Sequence, residues 1–588
     1  MKIPKLPENV RKYTQEISAF RGINYTDNYV DGELAESQNI SSVRYPYMTV
    51  RRVRSLPSLD PYGHRGGIRI TKYCHEKEIW QTKEDSEPYG ILPGYSKYSI
   101  FKGFGEGLGA TGYCGNPGYA VDQIVAVNNY VVLWKRNKGG NKLKYLDFEA
   151  ETIKDLEAET ESIGATFTAD TITVSGTDLT TLFKPGDGLA VSGCVAEPGN
   201  NKTFIVKSVT ATVLTATENA FTAATEAGAV TISRKLPDMS FVCESGNRLW
   251  GCGRDGKTIY ASALGDPTNF DVFQGLSTDS WRATIGHGGE FSACTSFNGA
   301  VLFWMRNKLF RVVGDYPAEY TIYEKYYPGC ISNNSQVVVG DTLIYQGAFG
   351  IYSYTGSNPT NIATALGEKD YRYGVAVADE RYYYICVTYE TWDFRDYPPT
   401  RTEKKLFVYD TKTGIWVQED DLDVVSADYL GVLNGQMGCI NLVDGEGQSW
   451  SVWPFTPPLF PSETTWECAG KTPFYYEEWY EIEWYAQFKP FYETVDGRKV
   501  HSKLLIRAEL PKGAVIEDEP PLSAWIVAEV RCDNGRWIKA GEIRGPANDT
   551  YVMPLVIDRC DKFELRLRGK GPFLLKSILR EFTVGGEQ

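Results

Sequence analysis

The sequence has few of the residues from which metal centres are built. Its 588 residues include only four histidines, which lie far apart, and its twelve cysteines are spread along the chain without a single Cys-x-x-Cys pair. Structural zinc sites need clustered ligands, and disulfide scaffolds are short and dense in cysteine. Cys74 and His75 are the one close pair of metal-binding type, and two ligands do not make a site. The sequence therefore predicts no metal and no cofactor, with free, buried thiols typical of a reducing compartment.

Long apolar runs and an excess of positive charge are also absent. No run of about 18 apolar residues occurs, and the first residues contain no apolar core of signal-peptide length, so we expect no membrane span. The chain has 61 Lys and Arg against 75 Asp and Glu, a net charge of −14. This balance disfavours a protein that grips nucleic-acid phosphates. It is compatible with a surface past which DNA slides, because like charges repel.

Motifs of catalysis are scarce as well. The match to Gly-x-Gly-x-x-Ala at Gly105, Gly107 and Ala110 lacks the flanking strand and helix that a dinucleotide site requires. A stretch near Asp444 resembles a sialidase Asp-box, but one gap is a residue too long and the motif does not recur. Carboxylate pairs serve glycosidases, and we expect the candidates here to be solvated faces: Asp420, Asp421, Asp423, Glu477, Glu478, Glu481 and Glu483. The sequence thus predicts no enzymatic activity.

Residues of short strands and tight turns are abundant. The 38 Tyr, 14 Trp and 57 Gly favour strands joined by turns. Units with an apolar strand, a Gly, Asn or Asp turn and a partner strand recur, and each is typical of a hairpin. Their first turns lie at Asn128, Gly246, Asn298, Gly340, Asp379 and Asn434. The steps between them are 118, 52, 42, 39 and 55 residues, and four of these fit the blade period of about 40 to 50 residues.

The long step coincides with a change of composition. Residues 163–234 are rich in Thr, Ala, Val and Gly, and subtracting these 72 residues from 118 leaves 46, which restores the repeat. We therefore predict an all-β chain with an irregular β-propeller of about six blades, seven being the alternative, over residues 66–162 and 235–457. Residues 163–234 are predicted to form an inserted small β-barrel or β-sandwich domain. The hairpin with Arg254 and Lys257 at its tip is then a blade turn rather than an active-site loop.

The two ends of the chain have patterns of their own. After a proline-rich stretch near Trp453, alternating strands predict a C-terminal, jelly-roll-like β-sandwich over residues 458–588. Residues 1–65 are predicted to be an extended N-terminal arm with the first strands. Helix is scarce, and the main helical candidate is the segment Thr152–Ile163.

The segment Ile17–Arg54 carries a resemblance to a known family. It has an aromatic-Arg-Gly-Ile-Asn start at Phe20, the acidic stretch "DGELAESQN" from Asp31, and an Arg-rich strand end. In these features it resembles the N-terminus of bacteriophage tail nozzle proteins, also called packaged-DNA stabilisation or tail tubular protein B-like proteins of short-tailed phages. The stretch "FELRLRGKGPFLLKSILREFTVGG" from Phe563 is similar to the closing strands of that family, and the middle of the chain agrees in layout.

The resemblance implies a structural virion protein of a phage tail, assembled in the host cytoplasm. Six copies would form a ring below the portal and adaptor rings, with a tail needle, plug or fibre protein as a further partner. Genomic double-stranded DNA would be retained by this ring and pass through it without sequence-specific binding. Candidate contacts to the neighbour ring or to DNA are Arg44, Arg51, Arg52 and Arg54. Alternating arginines on an exposed, solvated strand are an equal interpretation.

Two other functions stay open at this stage. A receptor-binding or glycan-binding tail protein would use a propeller face or the inserted domain, with aromatic runs such as Tyr382–Tyr384 stacking on sugars. A propeller glycosidase would use the acidic residues named above. Packing inside blades is the commoner use of such aromatic runs.

Overall fold

The computed structural model describes residues 12–51, 54–56, 68–77, 79–84, 99–104, 110–286, 288–392, 400–419, 427–433, 436–441, 448–452, 475–476, 482–491, 497–512 and 523–584. The chain is 55% strand and 3% helix, which confirms the all-β prediction. None of the helices in these ranges is long and apolar enough to cross a membrane. The chain divides into two compact units, which are residues 1–61, 337–355 and 359–588, and residues 62–336 and 356–358.

The unit of residues 62–336 and 356–358 contains four blade-type sheets. Each is a four-stranded antiparallel meander in which every strand pairs with the next, the arrangement of a propeller blade. Their strands are β6 (Ile68–Cys74), β7 (Ile79–Glu84), β8 (Ser99–Phe104) and β9 (Ala110–Gly115); β10 (Gln123–Val127), β11 (Tyr130–Trp134), β12 (Lys144–Asp147) and β13 (Thr152–Asp155); β21 (Met239–Ser245), β22 (Arg248–Gly253), β23 (Thr258–Ala261) and β24 (Trp281–Thr284); and β25 (Phe291–Phe297), β26 (Ala300–Met305), β27 (Lys308–Val313) and β28 (Thr321–Lys325). Its short 3-10 helices are His75–Lys77, Leu179–Thr181, Pro198–Asn200 and Asn333–Ser335.

The repeated turns explain why these hairpins form. Asn128, Asn247 and Asn298 have φ values of 52°, 58° and 48°, the left-handed conformation that two-residue hairpin turns require and that Asn tolerates. In the hairpin of β22 and β23, Asp255 accepts hydrogen bonds from the backbone N–H groups of Lys257 and Thr258 at 2.9 and 3.0 Å. The charged tip is therefore the blade turn that the sequence predicted.

The inserted segment is a closed barrel. Its strands are β14 (Ala158–Glu159), β15 (Ile163–Phe167), β16 (Thr171–Val174), β17 (Gly188–Ser192), β18 (Thr203–Val209), β19 (Val213–Ala216) and β20 (Ala224–Arg234). They pair in the order β14-β20-β15-β16-β19-β18-β17, and a further β17–β20 pairing closes the ring. The barrel has its own apolar core. Asn269, in the loop after β23, fixes the barrel by donating to the Gly186 carbonyl at 2.8 Å and accepting from the Gly188 N–H at 3.3 Å.

The predicted helix at Thr152–Ile163 is wrong. The segment contains β13 and β14 and ends at the first residue of β15. β13 is the outer strand of its blade, where Lys154 lies opposite Tyr145 of β12. The Lys, Glu and Leu residues of the segment Thr152–Ile163 favour a helix locally, but pairing of β13 with β12 overrides that preference.

The other unit, residues 1–61, 337–355 and 359–588, contains three blade-type sheets and a β-sandwich. The blade sheets are β29 (Val337–Val339), β30 (Thr342–Gln346), β31 (Ile351–Tyr354) and β32 (Thr360–Asn361); β33 (Asp370–Ala378), β34 (Tyr382–Trp392), β35 (Thr400–Asp410) and β36 (Ile415–Gln418); and β37 (Ala427–Leu433), β38 (Gln436–Asn441) and β39 (Gln448–Val452), extended by β5 (Arg54–Leu56) and β40 (Tyr475–Tyr476). A 3-10 helix spans Thr364–Leu366. With the four sheets of the first unit, the described residues form seven blade-type sheets, the alternative to the predicted six.

The sandwich is built from both ends of the chain. One sheet contains β1 (Lys12–Ile17), β3 (Ile40–Ser41), β4 (Met48–Val50), β42 (Lys499–Leu510), β45 (Ala547–Pro554) and β47 (Leu574–Val584). The other contains β2 (Leu34–Gln38), β41 (Glu483–Phe488), β43 (Trp525–Cys532), β44 (Ile538–Arg544) and β46 (Phe563–Lys570). One buried core joins them. Strands β1 to β4 of the predicted N-terminal arm therefore belong to the C-terminal sandwich, and the arm's last strand, β5, completes a blade.

Candidate assembly site at the amino-terminal arm

The four arginines proposed as contacts lie in different environments. Arg44 lies in the turn between β3 and β4, Arg51 follows β4, and Arg54 begins β5. Arg52 lies outside the described residues. The structure thus separates Arg44 and Arg51, which the sequence pattern had grouped together.

Arg51 is an internal residue. Its side chain is 1% exposed, and its Nε donates a hydrogen bond to Asn39 Oδ1 at 2.7 Å. Asn39 in turn donates from Nδ2 to the Glu483 carbonyl of β41 at 2.7 Å, and its own carbonyl accepts from the Arg51 N–H at 2.8 Å. Asn39 has a φ of 56°, a conformation that Asn adopts more readily than most residues. Arg51 therefore fixes the bend between β2 and β3. Because its side chain is buried, it does not lie on the contact surface that the sequence had predicted.

Arg44 belongs to an exposed aromatic turn. We call residues Ser42–Tyr47 the Tyr-Pro turn. Its backbone is held by hydrogen bonds from the Tyr45 N–H to the Ser42 carbonyl and from the Tyr47 N–H to the Arg44 carbonyl, both 2.9 Å. Tyr45 and Tyr47 are 41% and 40% exposed, and Arg44 beside them is half-buried. Tyr and Arg are enriched among the residues that dominate binding energy, so this turn is the best candidate contact site of the arm.

The Tyr-Pro turn is anchored on a blade. Ser42 Oγ donates to Asp410 Oδ2 at 3.2 Å, at the end of β35. Arg381 holds the same fully buried carboxylate through two hydrogen bonds, from Nε at 2.9 Å and from Nη2 at 2.6 Å. Burial opposes ionisation of Asp410, but the hydrogen bonds from Arg381 and its charge outweigh this and lower the pKa of the carboxyl group. The turn therefore projects from a rigid support, which lowers the entropic cost of binding.

The acidic motif that follows the arm's first strand has a structural explanation. Glu33 Oε2 accepts hydrogen bonds from the Val30 N–H and from Asn24 Nδ2, both at 2.8 Å, and Leu34 is 1% exposed in the sandwich core. Gly32 has a φ of 92°, and a Cβ built on it would lie 2.2 Å from the Ala19 carbonyl oxygen. The residues of "DGEL" are thus determined by how the arm packs.

Gly32→Ala should therefore weaken the sandwich. We expect a loss of about 2 kcal/mol or more in the free energy of unfolding, because the left-handed backbone and the contact with Ala19 both resist a side chain. Urea unfolding of the purified chain measures this loss. Gly118→Ala is the matched control, since Gly118 has a similar φ of 83° with no atom within 4 Å of its Cβ position. Equal losses in the two variants would contradict the packing explanation.

The structure describes only some of the residues considered for other functions. Asp420, Asp421, Asp423, Glu477, Glu478 and Glu481 lie outside the described residues, and Glu483 lies exposed on β41. Tyr382, Tyr383 and Tyr384 are buried, so this aromatic run packs a blade and does not offer a sugar-stacking surface. Ala110 begins a strand, β9, where a dinucleotide site needs a helix. Over the described ranges, no group of three or more His, Cys, Asp or Glu side chains is arranged to hold a metal.

Comparisons with known proteins give distant propeller-type neighbours. No protein-family model and no curated protein matches the chain. Hsv2 from Kluyveromyces lactis aligns at 9% identity over 60% of this chain and 98% of its own, with a TM-score of 0.25. The N-terminal domain of Nup159 aligns at 9% identity over 52% and 88%, also at 0.25. A family 43 glycoside hydrolase, an arabinoxylan arabinofuranohydrolase from Bacillus subtilis, aligns at 10% identity over 88% and 96%, at 0.18. At these scores, the propeller assignment rests on the strand topology itself.

Proposed function

We propose that the chain is a structural protein of a short-tailed bacteriophage virion. Six copies form a nozzle ring below the portal and adaptor rings, and the ring retains packaged DNA and conducts it during ejection. The chain has no catalytic role and binds DNA without sequence preference. Its other partners are the tail needle, plug or fibre proteins, and it assembles in the host cytoplasm.

One observation carries this proposal. The two stretches that resemble the nozzle family, Ile17–Arg54 and the stretch from Phe563, come from opposite ends of the chain and supply neighbouring strands of the same sandwich. β4 pairs with β47 at Met48 and Leu575, and β3 pairs with β4 from Ile40 opposite Val50 to Ser41 opposite Thr49. The resemblance therefore falls on one folded element, which supports its being a family feature rather than two chance matches.

The charge of the chain supports conduction. The net charge is −14 per copy, and a channel wall that shares this acidic balance repels the phosphates of a passing duplex, so DNA slides without being trapped. Local sites such as the Tyr-Pro turn would then make the contacts between the nozzle ring and the neighbouring rings.

A receptor-binding tail protein is the second candidate. Its support is three exposed tyrosines in or near β28, the outer strand of one blade, which are Tyr316, Tyr323 and Tyr326. Lys308 Nζ lies 5.0 Å from the centre of the Tyr326 ring. Aromatic faces of this kind stack on sugars. Binding to a glycan array, lost on Tyr323→Ala and Tyr326→Ala, would favour this function over the nozzle.

Substitutions in the Tyr-Pro turn test where the nozzle makes its contacts. We expect Arg44→Ala and Tyr45→Ala to weaken assembly with other copies or with the adaptor ring about tenfold or more, without changing the urea midpoint of the isolated chain. Light scattering at increasing concentration, with and without the adaptor, gives the assembly constants. The control is Arg536→Ala, an exposed arginine of the sandwich. Wild-type assembly by both turn variants would remove the turn from the interface.

A further inference from the structure

Ten cysteines whose side chains the structure describes form no disulfide, but their thiols are not all isolated. Cys560 lies in the buried core of the sandwich, Cys532 packs against the same core, and the two thiols are within hydrogen-bonding reach of each other. In the other unit, the thiol of Cys294 contacts those of Cys243 and Cys252. Two thiols in direct contact are the starting arrangement for a disulfide, so the two groups can be compared.

The backbone fixes the contact between Cys532 and Cys560. Cys532 is the last residue of β43, opposite Phe563 of β46. The next residue, Asp533, donates its N–H to the Lys562 carbonyl at 3.0 Å. Cys560 exchanges two backbone hydrogen bonds with Lys499 of β42, at 2.8 and 3.1 Å. Backbone pairing therefore holds both cysteines in place.

The side chain of Asp533 fixes the loop that carries Cys560. Its Oδ1 accepts hydrogen bonds from the N–H groups of Asp561 and Lys562, at 2.9 and 2.8 Å. These bonds tie the residues after Cys560 to the end of β43. The thiol pair thus lies where one sheet of the sandwich is connected to the other.

The environment of the pair also favours reaction. Cys560 is fully buried, while Cys532 is partly exposed. The hydrogen bond from Cys560 lowers the pKa of the Cys532 thiol, and the thiolate is the form that attacks an oxidant or a disulfide. Cys294 differs, because burial raises its pKa well above the usual value. An accessible thiolate beside a buried second thiol is the arrangement of a reactive and a resolving cysteine.

We propose that Cys532 and Cys560 form a reversible disulfide when the chain meets a hydroperoxide. The Cys532 thiolate attacks one peroxide oxygen, the O–O bond breaks, and a sulfenic acid forms as the other oxygen leaves as water. The Cys560 sulfur, losing its proton, then attacks the sulfenic sulfur, the S–S bond forms, and the second oxygen leaves as water. Two thiols are oxidised to one disulfide, and hydrogen peroxide is reduced to two water molecules.

The bridge would act on the edge of the sandwich. Between Cys532 and Cys560 the chain forms β44 and β45, so the disulfide would close these two strands into a loop. A cross-link of this kind stabilises by restricting the unfolded chain. The thiols would stay reduced in a cytosol and become linked in oxidising surroundings, whatever the chain assembles with.

Peptide mass spectrometry of the full chain tests the proposal. The reduced protein is treated with hydrogen peroxide, remaining thiols are blocked with iodoacetamide, and the digest is analysed without a reductant. We expect one linked peptide pair containing Cys532 and Cys560, two hydrogens lighter than the sum of the free peptides. It should form at least tenfold faster than any product at Cys294 or at the buried Cys330. Conversion of Cys532 to sulfinic acid while Cys560 is alkylated would overturn the proposal, and so would an unmodified Cys532 at full oxidation of Cys330.

A stability measurement gives a second readout. Peroxide should raise the urea midpoint of the wild-type chain, and dithiothreitol should restore the original value. Cys560→Ser should lose this shift, and Cys330→Ser should keep it. A shift of the same size in Cys560→Ser would show that the bridge is not its cause and would overturn the proposal.

Discussion

Arg51→Ala is expected to lower the free energy of unfolding by about 3 kcal/mol, because a charged hydrogen bond is lost and the partner amide remains buried without its donor. The guanidinium is 1% exposed and bonded to Asn39 at 2.7 Å, at the point where the chain passes from one sheet of the sandwich to the other. Arg51→Lys should recover little of the loss, since an ammonium group does not reproduce the planar geometry. Urea unfolding followed by tryptophan fluorescence measures the change.

Arg44→Ala is the matched control for this prediction. It removes an arginine of the same arm that is only half-buried, so its effect on unfolding should stay within about 0.5 kcal/mol, as for most surface substitutions. The two variants therefore separate a structural arginine from a contact arginine. Equal effects on unfolding, in either direction, would contradict this division.

Acid should destabilise the sandwich through His501. This residue of β42 is 1% exposed, and neither ring nitrogen has a hydrogen-bond partner within the described part of the chain. Its ring stacks on Phe563 with centroids 4.3 Å apart. Burial, and then the positive charges of Arg580 and Lys499, lower its pKa from 6.5 to about 3. The folded chain therefore holds a neutral imidazole that the unfolded chain readily protonates.

The direction of the effect follows from this difference. A folded pKa below the unfolded one means that the unfolded state binds more protons between the two values, so stability is full above pH 6.5 and falls as the pH drops toward 3. Because the pKa is about 3, the contribution lost is about 2 kcal/mol at pH 5 and about 4 kcal/mol at pH 3. His501→Phe keeps an aromatic ring in the stack and cannot be protonated.

Urea midpoints of wild type and His501→Phe between pH 7 and pH 5 measure this contribution. Other groups titrate equally in both proteins, so the difference between the two curves isolates His501. We expect the variant to retain about 2 kcal/mol that the wild type loses by pH 5. Urea midpoints that change equally with pH in the two proteins would contradict the prediction, because the imidazole would then be protonated as readily in the folded chain as in the unfolded chain.

Local patterns predicted the parts of the fold that local chemistry determines. Asn128 and Asn298 begin hairpins because a two-residue turn needs left-handed backbone, and the distance between such turns gave the blade period and the inserted barrel. No local sequence pattern indicates the pairing of Lys12 with Thr583. The alternation of apolar and polar residues predicts that a segment is a strand, but it does not predict which strand pairs with it. The arm was therefore separated from the sandwich to which it belongs.

The candidate site shows the same limit. Arg44 and Arg51 stand seven residues apart in one basic stretch, and nothing in the pattern distinguishes them. Arg51 is buried because the bend at Asn39 brings an amide oxygen to its guanidinium. The exposed Tyr45 and Tyr47 were not singled out from the sequence, although a Pro between two Tyr in a gap between strands is a turn signal.

Electron microscopy of the purified chain, alone and with the adaptor ring, shows whether the copies form a conducting ring. We expect sixfold rings with a central opening wide enough to pass a DNA duplex, and particles that stack coaxially on the adaptor. A chain that stays monomeric with and without the adaptor would contradict it, as would a closed assembly whose opening excludes a duplex.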